Sequence, residues 1–208
     1  GDTPAFLYCV GGPGLRSWQH PSYGGWGGRF YQVKGFKNVW RDTGYGEIRE
    51  WMETALHDFQ ARLQWCITPE YGKANHAPVI KLSSSSDITV KSGERVTLSA
   101  TVTDPDSIDI EATWKMRGAM WEQKGRTKEQ FMADPDKFVS RWQTGWSQMP
   151  AGSYQGFVNL EFDEKKGSCS FVAPKVSTPQ TIHILLEAFD MAVPRLTSYQ
   201  RFIITVVP

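Results

Sequence analysis

The acidic residues around position 104 are the first group in this sequence whose types and spacing could do chemistry. Asp104 and Asp106 flank one proline, and Asp109 and Asp190 could join them at one end of a β domain. Carboxylate oxygens are the hard ligands that Ca²⁺ prefers, so Asp104 and Asp106 are candidate metal ligands. The same Asp-Pro-Asp run is typical of a turn in which the aspartates accept hydrogen bonds from nearby backbone amides. Spacing alone leaves both interpretations open.

Other catalytic motifs are missing from the sequence. It holds no Gly-x-Ser-x-Gly elbow, its four histidines lack metalloprotease spacing, and its glycine clusters lack the partners of a phosphate loop. Cys9, Cys66 and Cys169 lie far apart without a Cys-x-x-Cys pair, which argues against structural zinc. A carboxylate pair that flanks a glycosidic bond cannot be assigned within one loop. We therefore predict no catalytic residue in this chain.

Aromatic residues in irregular segments are the remaining candidates for binding. Trp18, Tyr23 and Trp26 lie in a glycine-rich stretch, and Trp121 and Trp146 lie where strand alternation stops. Flat ring faces can stack on sugars while nearby polar groups bond to the hydroxyls, so we take these five residues as candidate ligand contacts. The alternative is that irregular loops use large rings to fill the space that they enclose. A bound glucan would need at least two rings that face solvent.

Composition argues against two classes of partner. Of 208 residues, 23 are Lys or Arg and 22 are Asp or Glu, which leaves a net charge of +1. Neutralising many phosphates needs a basic excess, so we expect no nucleic acid partner. No apolar run approaches the ~20 residues that cross a bilayer, so we expect no membrane insertion.

The sequence divides into two parts, residues 1–70 and residues 78–208, joined by a linker over residues 71–77. These parts must position the candidate residues. Twelve of the 19 glycines precede residue 77, which favours turns and loops there. Within the first part we expect a short strand over Ala5–Val10. Over residues 47–67 the apolar side chains recur at steps of three and four, which predicts one long amphipathic helix. Its apolar stripe must pack against something, and the preceding glycine-rich segment is the nearest candidate.

After the linker, apolar and polar residues alternate and turn residues recur, which is typical of an all-β domain. About seven strands predict an Ig-like β-sandwich, so the expected fold class is mainly β. The expected strands are Ala77–Leu82, Ile88–Val90, Arg95–Thr103, Ile108–Met116, Phe157–Phe162, Ser168–Val172, Thr181–Phe189 and Tyr199–Val207. Trp114, on the strand over residues 108–116, is predicted to lie in the core.

A helical insertion over residues 117–156 interrupts these strands. Thr127 and Gln130 have capping-box spacing, and Asp134-Pro135 can begin a second short helix that runs to about Trp142. Long loops in compact domains are more often functional or mobile than neutral, so the insertion is a candidate functional region.

Several runs resemble bacterial nucleoside-hydrolase-like proteins that end in an Ig-like domain and are often described as cellulose-binding. The resemblance covers nearly all of the chain. It rests on Gly1-Asp2-Thr3-Pro4 with Phe6-Leu7-Tyr8, His20-Pro21 with Gly24-Gly25-Trp26-Gly27-Gly28-Arg29-Phe30, Asp58-Phe59-Gln60-Ala61-Arg62 with Trp65-Cys66, Asn75-His76-Ala77-Pro78-Val79, and Phe171-Val172-Ala173-Pro174 with Tyr199-Gln200-Arg201.

The resemblance implies that this chain is the C-terminal part of a longer protein, with the end of a hydrolase-like domain before the linker. Nucleoside hydrolases hold calcium and ribose with an N-terminal aspartate cluster and one later turn, and Asp2 is similar to that turn. Asp2 is therefore a third candidate metal ligand. Because the cluster itself is not in this chain, the resemblance implies no cofactor here and calcium in the full-length protein. It also implies a secreted or periplasmic location.

Our leading hypothesis is a noncatalytic carbohydrate-associated module. Its expected partners are a carbohydrate or nucleoside-like ligand and its own N-terminal hydrolase-like domain. One alternative is part of a hydrolase of N-ribosyl or O-glycosyl bonds whose catalytic residues lie mostly outside this chain. The other is a purely structural or dimerisation domain.

Overall fold

The computed structural model describes residues 3–10, 12–42, 45–106, 110–138, 141–163 and 166–208. These residues form a mainly β fold with ten strands in three sheets, together with four α-helices. The helices are α1 (Thr3–Val10), α2 (Tyr45–Ile67), α3 (Ile110–Glu122) and α4 (Lys128–Ala133). The strands are β1 (Phe30–Gln32), β2 (Trp40–Asp42), β3 (Val79–Leu82), β4 (Asp87–Lys91), β5 (Arg95–Thr103), β6 (Trp142–Met149), β7 (Glu161–Asp163), β8 (Ser168–Val172), β9 (Gln180–Asp190) and β10 (Thr197–Val207).

Two four-stranded sheets enclose the main core. One has the order β4-β10-β9-β6 and the other β3-β5-β8-β7, while β1 and β2 form a separate hairpin. Strand β4 runs parallel to β10, and β10 is antiparallel to β9. The core side chains between the sheets include Val96, Leu98, Phe171, Ile184 and Phe202. The predicted sandwich-like, mainly β fold is confirmed.

The alternation along β5 shows why these segments form strands. Val96 and Leu98 are buried, whereas Arg95 and Thr97 between and beside them are exposed. Successive side chains of a strand point to opposite faces, so this pattern gives one dry face and one wet face. Strand β5 has the bounds that the sequence predicts.

The central strands β9 and β10 are buried on both faces of their sheet. Leu185 and Tyr199 lie on the face away from the main core, and they form a second core with Leu15, Trp26 and Trp51 of the N-terminal part. Burial on both faces explains why apolar residues occupy consecutive positions in these strands, as in Ile184-Leu185-Leu186 and Phe202-Ile203-Ile204. The approach is close, because a side chain at Gly14 would clash with the carbonyl oxygen of Tyr199. The glycine-rich segment thus packs onto the sandwich.

Helix α2 confirms the helix predicted over residues 47–67. Part of its apolar surface is buried, because Trp51 belongs to the second core and Arg29 lies over its ring at 5.5 Å. None of the helices in the described ranges combines the length and apolarity that crossing a membrane would need.

Two predicted strands are helices. Residues 5–10 lie in α1, where the short apolar run has no period that distinguishes a strand from a helix. Residues 110–116 lie in α3, so Trp114 is on a helix, where it packs against Trp121 and Phe131. Trp114 and Trp121 are seven residues apart, a helical spacing that the strand interpretation overlooked.

The second short helix predicted in the insertion, from Asp134-Pro135 to about Trp142, is wrong. Thr127 and Gln130 form the predicted capping box at the start of α4. After it, Pro135–Lys137 makes only a 3₁₀ turn, and Trp142 begins strand β6 instead of ending a helix. Strand β6 pairs with β9, so part of the predicted insertion completes the first sheet. Residues from Trp142 onward form a strand because they pair with β9, although the local sequence favoured a helix up to Trp142.

Candidate functional site

Arg201 fixes the N-terminal loops against the sandwich. This buried side chain of β10 donates from Nε to the carbonyl oxygen of Leu15 and from Nη2 to that of Tyr23, each at 2.7 Å. Burial lowers the pKa of Arg201 to about 10. The guanidinium also lies 5.1 Å from the centre of the Tyr23 ring, which adds a cation–π contact. The loops on both sides of Trp18 are therefore anchored to the sheet.

Trp18 lies on a 3₁₀ turn over Ser17–Gln19, and its ring is 74% exposed. The turn follows Arg16, whose backbone is left-handed at φ 56°. The Arg16 guanidinium forms a two-pronged ion pair with Asp87 at the start of β4, with Nη2 donating to Oδ2 at 2.9 Å. Its Nε donates to Gln19 Oε1 at 2.8 Å. Arg16 and Gln19, on either side of Ser17 and Trp18, are thus held by hydrogen bonds, while the Trp18 ring faces solvent.

The ion pair also sets the local charge. The hydrogen bond from Arg16 holds the pKa of Asp87 below its usual range. The carboxylate therefore stays ionised and remains an acceptor near the turn. Ser17, between Arg16 and Trp18, is buried. Arg16 and Asp87 could not be found from sequence, because their ion pair joins residues 71 positions apart. Gln19 has a role only through its contact with Arg16.

A group of rings surrounds the next turn. His20 packs edge-on against Trp40 with centroids 5.2 Å apart, and its carbonyl oxygen accepts from the Tyr8 hydroxyl at 2.6 Å. The Tyr8 ring packs edge-on against Phe30 at 5.3 Å. We call these four rings, Tyr8, His20, Phe30 and Trp40, together with Trp18 on the preceding 3₁₀ turn, the aromatic surface. It combines exposed and half-buried rings with polar groups, which is the chemistry of sugar recognition.

The other predicted ligand contacts are less accessible than Trp18. Trp26 is 5% exposed in the second core, and Trp121 is 3% exposed within the aromatic cluster of the insertion. Trp146 is half-buried against the ring of Phe202. Tyr23 is half-buried, and its ring packs edge-on against His183 at 4.6 Å. Of the five, only Trp18 offers an open ring face.

Two of the predicted metal ligands, Asp104 and Asp106, accept hydrogen bonds from the protein itself. Asp104 Oδ1 accepts from the backbone N–H of Asp106 at 2.9 Å, which is the turn interpretation of Asp-Pro-Asp. The Asp106 carboxylate contacts the backbone N–H of His76 and, at 2.8 Å, its Nδ1. Burial raises the pKa of Asp104. In the ranges that the structure describes, no three His, Cys, Asp or Glu side chains converge to hold a metal, and Asp2 lies outside those ranges.

The predicted linker contacts the same end of the sandwich. Asn75 Nδ2 donates to Asp190 Oδ2 at 2.9 Å, and its carbonyl oxygen accepts from Trp65 Nε1 at 2.9 Å. The rings of Tyr71 and His76 are stacked with centroids 3.7 Å apart. Asp190 and Asp106 are thus neighbours of the linker, and their carboxylates are occupied by protein donors. The division of the chain into two domains stays a prediction.

Fold and surface together define a mainly β, sandwich-like protein with an anchored aromatic surface. Residues 95–206 match the family described as cellulose-binding protein Sde0182, C-terminal domain. Because the match covers more than half of the chain, the chain belongs to this family. The resemblance seen in the sequence is confirmed. No curated protein matches the chain.

Among solved structures, the chain is similar to a nucleoside hydrolase-related hypothetical protein from Saccharophagus degradans that is associated with carbohydrate metabolism. The two are 27% identical with a TM-score of 0.69 over 99% of this chain, which spans 47% of the relative's length. A 2,6-sialyltransferase from Photobacterium sp. JT-ISH-224 is 14% identical, with a TM-score of 0.30 over 58% of this chain and 17% of that one. Mouse PcdhgC3 EC1-3 is 13% identical, with a TM-score of 0.30 over 62% and 34%.

Proposed function

We propose that this chain is a noncatalytic carbohydrate-binding module of a longer hydrolase-like protein. Its family and the carbohydrate-metabolism association of the Saccharophagus degradans relative support this function. The observation that carries it is the exposed Trp18 ring between the anchored side chains of Arg16 and Gln19.

The geometry favours binding over a role in packing for Trp18. A buried filler ring would cover other side chains, as Trp26 does, but Trp18 leaves most of its surface in water. Because Arg16 is paired with Asp87 and Gln19, the turn is ordered before a ligand arrives, and less conformational entropy is lost on binding. The ring would stack on a sugar face, and Gln19 and Asp87 would bond to its hydroxyls.

Retention of the folded chain on cellulose, xylan and other glycans tests this proposal. Trp18→Ala is expected to weaken retention by about tenfold, a loss of about 1.4 kcal/mol of binding. Phe157→Ala is the matched control, because Phe157 is an exposed ring on the sandwich. Its retention should equal that of the natural chain. If the folded natural chain is retained on none of the glycans, the proposal fails.

A structural role is the second candidate, and the second core favours it. Trp26 and Trp51 of the N-terminal part share this core with Met149, Leu185 and Tyr199 of the sandwich. A purely bracing sandwich would stabilise the N-terminal part without binding glycan. Under that function the natural chain and Trp18→Ala would both pass through every glycan matrix, and Leu185→Ala would still destabilise the chain.

A further inference from the structure

Helix α2 carries two apolar faces, and the residues that the structure describes cover only one of them. Ile48, Trp51 and Ala55 are buried, and Trp51 and Ala55 belong to the second core. This face accounts for the attachment of the helix to the rest of the fold. The other apolar face has no such role.

The uncovered face is a long stripe, which we call the α2 stripe. Its members are Met52, Leu56, Phe59, Leu63 and Ile67, and all are exposed. Their spacing of four, three, four and four residues places them on one side of the helix over about four turns. Contiguous exposed apolar surface of this kind marks an interaction site in soluble proteins.

We propose that the α2 stripe is the interface with the rest of the full-length protein, the part that corresponds to the unmatched portion of the Saccharophagus degradans relative. That relative matches 99% of this chain but only 47% of its own length is covered, so just over half of its chain is available to pack elsewhere. The occupant is therefore a covalently continuous domain that presents an apolar surface.

The distribution of exposed apolar side chains supports this occupant. In the described part of the chain, twelve of the twenty large exposed hydrophobic residues precede residue 72. Phe6 and Val10 on α1 and Phe36 and Val39 near the β1–β2 hairpin add to the stripe. An excess spread over α1, α2 and a hairpin fits a broad domain contact better than the single narrow seam of two paired helices.

Thiol reactivity tests the interface directly. Cys66 is exposed and lies three residues after Leu63, whereas Cys169 is buried. In a Cys9→Ser background, N-ethylmaleimide should modify Cys66 at least about tenfold more slowly in the full-length protein than in the 208-residue chain, because burial protects a thiol. The matched control adds Cys66→Ser and Ser84→Cys, at an exposed position in the connection between β3 and β4 and away from α2. The thiol at position 84 should react equally fast in both proteins.

A charge on the stripe gives a second readout. Leu56→Lys should lower the Tm of the full-length protein by about 5 °C or more, because the ammonium would be buried without a partner. The same change should leave the Tm of the 208-residue chain unaltered, since Leu56 is exposed there. Ser84→Lys, at an exposed position between β3 and β4, should alter neither protein.

Three results would overturn the proposal. One is equal reactivity of Cys66 in both proteins, and another is a natural polypeptide that adds no residues to this chain. The third is a concentration-dependent dimer of the 208-residue chain that Leu56→Lys dissociates, which would assign the stripe to a second copy. Glycan retention is not a readout here, so failure of the carbohydrate proposal leaves this one standing.

Discussion

Nη1 of Arg201 lies 3.3 Å from Nδ1 of His183, and both side chains are buried. A guanidinium has only N–H donors, so Nδ1 must accept, and the imidazole is neutral with its proton on Nε2. Burial, followed by the positive charge of Arg201, lowers the pKa of His183 to about 3. The pair therefore carries only the positive charge of Arg201. The backbone carbonyl oxygens of Leu15 and Tyr23 accept hydrogen bonds from the guanidinium and stabilise this charge.

The neutral state of His183 predicts a loss of stability in acid. Between pH 6.5 and about 3 the unfolded chain binds a proton at this histidine and the native chain does not. The free energy of unfolding should therefore fall as pH falls, by up to about 1.4 kcal/mol per pH unit from this residue. Urea unfolding at pH about 7.5 and about 5 measures the change.

His183→Gln isolates this contribution, since an amide oxygen can still accept from Arg201. Burial raises the pKa of Glu187 and Asp190, and these carboxyls favour the native state as pH falls, opposite in sign to His183. The comparison of variant with natural chain cancels them. The variant should lose less stability between the two pH values, and an equal loss would contradict a buried neutral histidine.

Arg201→Lys should detach the N-terminal loops. The three N–H donors of a lysine ammonium sit on one atom, so lysine cannot reproduce the planar fork in which Nε and Nη2 donate to the carbonyl oxygens of Leu15 and Tyr23. We expect a loss of about 2–4 kcal/mol in the free energy of unfolding and faster proteolysis within residues 12–30. Arg95→Lys is the control, because the half-exposed Arg95–Glu161 pair contributes about 1 kcal/mol or less. Similar losses in both variants would rule out an anchoring role.

Strand prediction succeeded where burial follows local alternation. Val96 and Leu98 define β5 because every second residue faces the core, and β8 is equally regular. The prediction failed at α3, where Ile110, Ala112 and Trp114 are each two residues apart and so have the spacing of a strand. Strand β6 was missed because exposed and half-buried residues do not alternate along it and it contains Gly145, so only its pairing with β9 defines it. Without alternation, a strand leaves no local pattern in the sequence.

The candidate site was only partly predictable for the same reason. Trp18 and Trp26 occur in similar glycine-rich surroundings, yet Trp26 is buried because it meets Leu185 and Tyr199 of the distant central strands. Nothing near either tryptophan encodes that contact. The anchoring pair of Arg16 and Asp87 is likewise a product of tertiary packing.

Trp121→Ala should act on stability and not on binding. The ring is buried among Trp114, Phe131 and Phe138, with centroid distances of 5.7, 5.1 and 5.4 Å. Its removal should cost about 3–5 kcal/mol within the insertion, because a large cavity forms. Met116→Ala on the same helix removes an exposed side chain and should cost little. Weaker glycan retention by the folded fraction of Trp121→Ala would show instead that the insertion contacts ligand.

Calcium is expected to leave the stability of this chain unchanged. A ligand that binds only the native state raises Tm with its concentration, but Asp104 and Asp106 already accept hydrogen bonds from Asp106 and His76. Asp106→Ala should lower the free energy of unfolding by about 1–3 kcal/mol, because the His76 amide loses its acceptor. That loss should be the same in millimolar Ca²⁺ and in EDTA. A calcium-dependent rise in Tm that Asp104→Asn or Asp106→Ala abolishes would show that the turn is a metal site after all.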